Sequence, residues 1–316
     1  MASRPSVRTQ FLIFNLYGDY VFPRRRPVWT GGLLDVLRVL GVGDRAARST
    51  LSRMKQKGWL EASRQGRRSA YRLTPRGAGL LEEGSRRLFG PRLAGWDGRW
   101  HLVIYSLPQE MRTLRRELRA RLSWLGYGML LPGIMVAAHS RKEQVEAILQ
   151  ELDAEPYVHF FTGSQLELLP DREIVDRCWD LLDLNRRYAG FVGRHRGDFL
   201  AAQRRRRAGN GPTPEQGFDL RFWVTYEYSS FPRQDPNLPD ELLPKDWQGD
   251  QAAQLLADYR DMLREPAEAF IQGTLGVSPP GSPVAVEREV RAEETFVGWP
   301  QRPASSQGRA SGGADG

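Results

Sequence analysis

The sequence predicts an α+β protein made of three folded regions and a disordered tail. Residues 9–73 contain three helical patterns followed by two short strands, and residues 99–162 alternate strands with amphipathic helices. Later in the chain, apolar residues recur mainly at helical spacing. We therefore expect domains at residues 1–84, 96–168 and 169–276, the last mostly helical, and a disordered tail at residues 277–316 that is rich in Pro, Gly, Ser and charge.

The N-terminal region begins with a short apolar helix, Thr9–Tyr17, which Gly18 is expected to end. After a turn at Pro23–Pro27, Thr30 is placed to cap a second helix whose inward residues are Leu33, Leu34, Leu37 and Leu40. Asp44 is expected to cap a third helix that runs to about Lys57. A hairpin with its turn at Gln65–Arg68 follows. Three helices and a hairpin predict a winged helix-turn-helix.

Polar and basic side chains occupy the outward face of the third helix, namely Arg45, Arg48, Ser49, Ser52, Arg53 and Gln56. The hairpin tip adds Arg64, Arg67 and Arg68. Such a helix can enter the major groove of DNA while the wing contacts phosphate. Residues 1–95 contain 19 basic and 6 acidic residues, a net charge of +13, whereas the remainder carries −5. These features indicate a DNA-binding surface. The alternative is a solvated cationic helix in a protein-binding winged helix.

The middle region predicts a strand at Arg99–Leu107, a helix at Gln109–Trp124, two strands within Gly126–Ala138, a helix at Arg141–Leu152 and a strand at Tyr157–Thr162. This order is typical of the ferredoxin-like arrangement. Its first helix carries a stripe of four arginines, Arg112, Arg115, Arg116 and Arg119. A solvated face paired with Glu110 and Glu117 is the simplest interpretation. The functional alternative is a phosphate contact, to DNA or to a ligand.

The C-terminal region is expected to start with a long helix, Asp171–Gln203, in which Cys178 is a small core residue. A basic run and a Gly/Pro linker precede the aromatic stretch Phe218–Phe231. If that stretch is a strand, Trp223 lies on the face opposite Tyr226. A last helix is expected at Gln251–Phe270.

Several classes of protein do not fit this composition. The longest apolar stretch, Tyr127–Ala138, is shorter than a membrane span and is interrupted by Gly and Pro. The first ten residues lack the hydrophobic segment of a secretory signal. One cysteine and four scattered histidines offer no disulfide and no metal-binding spacing. We expect a cytoplasmic protein that has no metal or other cofactor.

A set of short motifs is spread over residues 8–272 in one register. The N-terminal motifs are Leu16-Tyr17-Gly18-Asp19-Tyr20, the run Arg45–Met54, Gly58-Trp59-Leu60 and the run Gly66–Gly77. The later motifs are Trp96-Asp97-Gly98-Arg99-Trp100, Trp124–Gly128, Asp235–Pro239, Leu242-Leu243-Pro244 and Trp247. Together these motifs resemble the PaaX family, bacterial transcriptional repressors of phenylacetic acid degradation operons. The tail after Val277 lies outside the resemblance.

The resemblance implies a homodimeric repressor that binds a palindromic operator in double-stranded DNA and is released by phenylacetyl-coenzyme A or another aryl-acyl-coenzyme A. Capture of such a ligand calls for arginines at its phosphates and an apolar slot for its acyl group. Arg112, Arg115, Arg116 and Arg119 are the candidates for the phosphates, and Trp223 and Tyr226 for the slot.

The middle region also resembles the CRISPR-associated endoribonucleases with a ferredoxin-like fold. Those enzymes carry an Asp at the end of the first strand, whereas Ser106 follows Val103-Ile104-Tyr105 in this sequence. This difference favours a non-catalytic module for dimerisation or sensing, and we expect that the protein is not an enzyme. Two alternatives stay open: a metal-dependent nuclease, and an architectural DNA-binding protein without a ligand.

Overall fold

The computed structural model describes residues 8–22, 27–66, 68–90, 95–163, 169–232 and 234–275. The turn expected at Pro23–Pro27 therefore lies mostly outside the described residues, as do Arg67 and the tail at residues 277–316. Mixed α+β structure is present, with helices in the majority and two small antiparallel sheets. Within the described ranges, no helix combines the length and the apolar character that crossing a membrane requires.

The N-terminal region contains four helices and a three-stranded sheet among its described residues. Its elements are α1 (Thr9–Leu16), β1 (Val28–Trp29), α2 (Thr30–Val39), α3 (Asp44–Gln56), β2 (Leu60–Gln65), β3 (Arg68–Leu73) and α4 (Pro75–Phe89). The strand order is β1-β3-β2, and both pairs are antiparallel. Ala47, Leu51 and Met54 are fully buried on the inward face of α3, as their spacing predicts.

Three local predictions for this region are wrong. Gly18 does not end the first helix, because a π-helical turn, Tyr17–Val21, continues it and buries Tyr17 and Tyr20. Thr30 does not cap α2, since its hydroxyl donates to the Ser69 carbonyl of β3 at 2.8 Å. Asp44 is the first residue of α3 rather than its cap, and its carboxylate is bound by Arg38.

The middle region has the predicted order of strands and helices. Its elements are β4 (Trp100–Tyr105), α5 (Arg112–Trp124), β5 (Gly128–Leu131), β6 (Ile134–Ala137), α6 (Lys142–Glu151) and β7 (Val158–Gly163). The sheet order is β5-β6-β4-β7, and every pair is antiparallel. Both helices pack on one face of this sheet, where Val103, Leu118, Met135 and Val145 share a core.

The C-terminal region is helical but is divided differently from the prediction. Its elements are α7 (Asp171–Cys178), α8 (Leu181–Arg207), α9 (Pro214–Tyr228), α10 (Gly249–Met262) and α11 (Arg264–Leu275). The long helix predicted over Asp171–Gln203 is broken at Trp179, and Asp180 caps α8 by accepting from the Asp183 backbone N–H. The helix predicted over Gln251–Phe270 is likewise two helices. The aromatic stretch is helix α9, not a strand, so Trp223 and Tyr226 lie side by side with ring centroids 5.4 Å apart.

Helix α9 contributes to two hydrophobic cores. Phe218 and Phe222 join the core formed by α1, α2 and α3, together with Ala267 and Ile271 of α11. Val224 and Tyr228 belong to a second core with α7, α8, α10 and Trp100 of β4. The N-terminal core is therefore completed by side chains that lie far away in the sequence.

Candidate nucleic-acid interface

The outward face of α3 is basic and open to solvent. Arg45, Arg48, Ser49, Ser52, Arg53 and Gln56 are all exposed, as predicted. Among the described residues, Arg45 and Arg48 form no ion pair, whereas Arg53 donates to the Thr50 hydroxyl at 3.1 Å. The guanidiniums of Arg45 and Arg48 are thus available to an anionic partner.

The one carboxylate of α3, Asp44, is occupied by a basic residue of α2. Arg38 donates to Asp44 from Nε at 2.8 Å and also binds Asp35 at 2.5 Å. These hydrogen bonds from Arg38 lower the pKa of Asp44, which keeps the carboxylate charged. The negative charge at the start of α3 is therefore compensated locally by a residue outside that helix.

The β2–β3 hairpin is held against the helices both near its tip, at Ser69, and at its base, beside Leu60 and Leu73. Thr30 at the start of α2 binds the Ser69 carbonyl. Thr74 donates to the Gly58 carbonyl at 2.6 Å and caps α4 by accepting from the Gly77 N–H at 3.1 Å. A Cβ at Gly77 would lie 2.1 Å from the Trp59 carbonyl oxygen, so only glycine permits this close approach. The hairpin is consequently fixed relative to α3.

Basic side chains project from the described part of the hairpin tip. Arg64 and Arg68 are exposed, and Gly66 takes the positive φ of +59° that the turn requires. The Arg64 Nε donates to the Gly66 carbonyl at 3.0 Å, which orders the side chain beside the turn. Arg72 is neutralised by Glu61 across the strands at 2.6 Å. Arg67, the third predicted residue of the tip, lies outside the described residues.

The arginine stripe of α5 and the aromatic pair of α9 lie in different surroundings. Arg112, Arg116 and Arg119 are exposed and form no ion pair within the described ranges, because Glu117 pairs with Arg121 instead of the stripe. Arg115 donates to the Leu107 and Pro108 carbonyls. A shallow depression of about 440 Å³ beside the stripe is lined by α5 residues alone. Trp223 and Tyr226 instead pack against the N-terminal core, so the predicted pocket is not assembled there.

Cys178 and Ser106, the remaining positions singled out in the sequence, make structural contacts. Cys178 ends α7 in contact with the second core, and burial raises the pKa of its thiol to about 12. Ser106, which follows β4, donates its backbone N–H to the Tyr157 carbonyl at 3.0 Å. In the parts of the chain that the structure describes, no group of three or more His, Cys, Asp and Glu side chains is placed to hold a metal ion.

Family models match three consecutive segments of the chain. Residues 8–77 match the model described as PaaX-like protein, residues 93–175 the PaaX protein central Cas2-like domain, and residues 179–273 the PaaX-like protein C-terminal domain. The chain belongs to the PaaX family. A curated relative, the transcriptional repressor PaaX of Escherichia coli (strain K12), is 32% identical over 264 residues, which cover 82% of each chain.

A solved structure shares the fold of this PaaX-family chain. It is the uncharacterized protein Rv0674 from Mycobacterium tuberculosis, with a TM-score of 0.50 and 22% sequence identity. The similarity covers 76% of this chain and 89% of that chain.

A buried ion cluster joins the first and third PaaX segments and was missed by the sequence analysis. Arg260 of α10 donates to both carboxylate oxygens of Asp19, at 2.7 and 3.0 Å, and to the Thr225 hydroxyl at 2.6 Å. Arg221 of α9 approaches the same carboxylate at 3.6 Å. The three charged side chains are only 5–8% exposed. A lone carboxylate within the apolar run from Phe11 to Val21 was the available sequence signal.

A second junction ties α4 to the other two segments. Arg87 of α4 donates to the Asp235 carbonyl at 3.0 Å and to the carbonyls of Pro232 and Trp124. Its guanidinium also lies over the Trp124 ring, 4.9 Å from the centroid. The hairpin and α3 are thus connected to the middle and C-terminal regions through α4, and Asp19 adds a second connection to the C-terminal region.

Proposed function

We propose that this PaaX-family chain is a DNA-binding transcriptional repressor of phenylacetate-type catabolic genes. The observation that supports it best is the open basic face of α3 beside an anchored hairpin with exposed arginines, in the segment that matches the PaaX-like model. The E. coli relative is named as a transcriptional repressor. In this proposal residues 8–77 form a winged helix-turn-helix, and repression follows because a bound dimer excludes polymerase from the promoter.

The proposed contacts divide into two classes. Arg45, Arg48, Ser49, Ser52, Arg53 and Gln56 face the base edges and phosphates of the major groove, with Arg48 and Arg53 as base-reading candidates. Arg64, Arg67 and Arg68 contact the backbone or the minor groove, where they add affinity with little sequence information. Substitutions in the first class should therefore change sequence specificity, whereas substitutions in the second class should change mainly the overall affinity.

Fluorescence anisotropy with promoter DNA from phenylacetate catabolic genes tests this division. Arg48→Ala or Arg53→Ala should cost about 1–3 kcal/mol on the specific site if that arginine makes a bidentate base contact. Arg68→Ala should weaken binding to all sequences and reduce the dependence of affinity on salt. Arg172→Ala, which removes an exposed arginine of α7, serves as the matched control. Unchanged affinity in all three interface variants would refute the assignment.

A palindromic operator requires a homodimer, because one winged helix reads one half-site. We propose that an aryl-acyl-coenzyme A such as phenylacetyl-coenzyme A releases the dimer from its operator. It does so by binding more tightly to the conformation that does not bind DNA. Arg112, Arg115, Arg116 and Arg119 remain the proposed phosphate ligands, although the aromatic pair of α9 does not line their depression. Phenylacetyl-coenzyme A should lower operator affinity, whereas free phenylacetate and free coenzyme A should have little effect. Release by phenylacetate alone would contradict the phosphate argument.

The alternatives give different results in the same assays. A metal-dependent nuclease would cleave RNA or DNA when magnesium is added, and a repressor would leave both intact. An architectural protein would bind the operator and random DNA with similar affinity. The domain boundaries proposed above, at residues 84, 96 and 169, can be located by limited proteolysis of the full chain.

A further inference from the structure

The first turn of α3 places a carboxylate next to the arginines of the candidate DNA-binding face. Asp44 is the first residue of α3, and Arg48 lies four residues later on the same side of the helix. An acidic residue followed by a basic residue at this spacing normally forms an ion pair on the helix surface. Such a pair would hold the Arg48 guanidinium against its own helix and away from a DNA groove.

Arg38 of α2 occupies this carboxylate instead. Its Nε and Nη2 donate to the two oxygens of Asp44, at 2.8 and 3.3 Å, in a bidentate contact. Arg48 stays exposed, and none of the ion pairs between described residues includes it. Hydrogen bonds from Arg38 are the main cause that lowers the pKa of Asp44, and the positive charge of Arg48 adds to this effect. Arg48 is therefore within electrostatic range of a carboxylate that it does not bind.

A second carboxylate orients Arg38 toward α3. Asp35, three residues earlier in α2, accepts from Nη1 of Arg38 at 2.5 Å. Nε and Nη2 are left for Asp44, so the guanidinium is held from both sides. All three side chains are about half exposed, and exposed ion pairs contribute little to the stability of a fold. The arrangement thus controls the charges beside α3 more than it stabilises the protein.

We propose that Arg38 is a positioning residue for DNA binding, which keeps the Asp44 carboxylate from Arg48 and from the phosphates of DNA. This inference rests on the proposed function, because it concerns the same surface. Without Arg38, Asp44 would pair with Arg48. DNA binding would then have to break that pair and leave an unpaired carboxylate beside phosphate, and juxtaposed like charges oppose binding.

A direct contact between Arg38 and a phosphate is the competing role for this side chain. Every guanidinium nitrogen of Arg38 already donates to a carboxylate, so a phosphate would have to compete with both Asp35 and Asp44. The geometry therefore favours an indirect role. The two roles differ in one respect that can be measured, because only the indirect role requires the carboxylate of Asp44.

A double-mutant cycle between Arg38 and Asp44 separates the two roles. Fluorescence anisotropy of the full-length chain with promoter DNA from phenylacetate catabolic genes should give a dissociation constant at least about fivefold higher for Arg38→Ala than for the parent. In the Asp44→Asn background no carboxylate is left to capture Arg48, so Arg38→Ala should change the dissociation constant by about twofold or less. An equal loss in both backgrounds would indicate a direct phosphate contact and overturn the proposal, as would no loss in either.

The contribution of Arg48 gives a second readout, which a purely structural role of Arg38 would not change. Arg48→Ala should weaken binding to the specific site in the parent. In the Arg38→Ala background it should weaken binding less, because Arg48 is already paired with Asp44. The full effect of Arg48→Ala should return in Arg38→Ala/Asp44→Asn. The same effect of Arg48→Ala in all three backgrounds would contradict the proposal.

An ion pair of α7 supplies the matched control. Arg177 and Glu173 form an exposed pair at 2.5 Å outside the segment that carries the basic face. Arg177→Ala and Arg177→Ala/Glu173→Gln make the same charge changes as the Arg38 and Asp44 variants, and they should alter DNA affinity by no more than about twofold. Arg38→Lys keeps a positive charge beside Asp44 and should bind DNA more tightly than Arg38→Ala. Equal weakening in Arg38→Lys and Arg38→Ala would show that charge compensation is not the cause.

The outcomes distinguish this inference from the proposed function. A parent protein that prefers promoter DNA to random DNA, with unchanged affinity in Arg38→Ala, would refute the role of Arg38 and leave the repressor standing. A parent protein without that preference would refute the repressor. The same double-mutant cycle on random DNA would then decide the role of Arg38, because an unpaired Asp44 opposes the phosphates of any sequence.

Discussion

Removal of the Asp19 charge tests whether the buried ion cluster holds the N-terminal helices to the C-terminal region. Asp19→Asn preserves the shape of the side chain but leaves Arg221 and Arg260 buried without their shared anion. Removing one partner of a buried pair costs about 3–5 kcal/mol. We expect the free energy of unfolding at pH 7 to fall by that amount, as measured by urea denaturation followed by circular dichroism.

Two variants control for other effects of the substitution. Asp35→Asn removes a carboxylate from an ion pair with Arg38 in which both side chains are 54% exposed, and it should cost no more than about 1 kcal/mol. In Asp19→Asn/Arg260→Met an apolar side chain replaces one of the stranded charges, so the double variant should be more stable than Asp19→Asn alone. A loss below about 1 kcal/mol in Asp19→Asn would refute the reasoning.

The stability lost in Asp19→Asn should depend on pH. Burial alone would raise the pKa of Asp19, but the charges of Arg260 and Arg221 and the hydrogen bonds from Arg260 outweigh burial and hold this pKa below its ordinary value. The stability from such a carboxylate is present above its unfolded pKa of about 3.9 and is lost as the pH falls through the folded pKa. The difference in free energy of unfolding between the parent and Asp19→Asn should therefore be constant near neutral pH. It should decrease toward zero as the pH falls below about 4.

The remaining predictions concern the hairpin and the thiol. Gly77→Ala should destabilise the protein by about 1–3 kcal/mol, because its Cβ would meet the Trp59 carbonyl oxygen; Gly79→Ala is the control. Thr30→Val should lower the free energy of unfolding by about 1–3 kcal/mol, since it leaves the part-buried Ser69 carbonyl without that donor. Cys178 should react with an alkylating reagent at pH 8 far more slowly in the native protein than in urea, because burial raises its pKa to about 12. Equal rates in the two states would contradict the buried environment.

Local patterns in the sequence predict the elements whose two faces differ. Helix α3 has buried residues at helical spacing and polar residues opposite, and the hairpin is marked by Gly66 and by alternation in β3. The middle region is predicted for the same reason, since its strands and helices each bury one side. The exposed basic residues of the candidate interface follow directly from these patterns.

The errors arise where contacts distant in the sequence decide the structure. Helix α9 is apolar on several sides because it contacts two cores, so its residues do not show the one-sided spacing that identifies a helix. Asp19 and Arg260 are 241 residues apart, and the local sequence around one of them does not predict that it contacts the other. The helix break at Trp179 could have been predicted from the sequence, because Asp180 is a residue type that caps a new helix by accepting from the backbone N–H of Asp183, three residues later.

The two-core position of α9 has a consequence for folding during synthesis. The helices that carry the basic face are made first, but Phe218, Phe222, Ala267 and Ile271, which complete their core, are translated last. At about 5–20 residues per second, the roughly 200 intervening residues take about 10–40 seconds to appear. During that interval Leu33, Leu37 and Tyr20 lack part of their native cover. The nascent N-terminal segment therefore exposes apolar surface to solvent until the last helices dock.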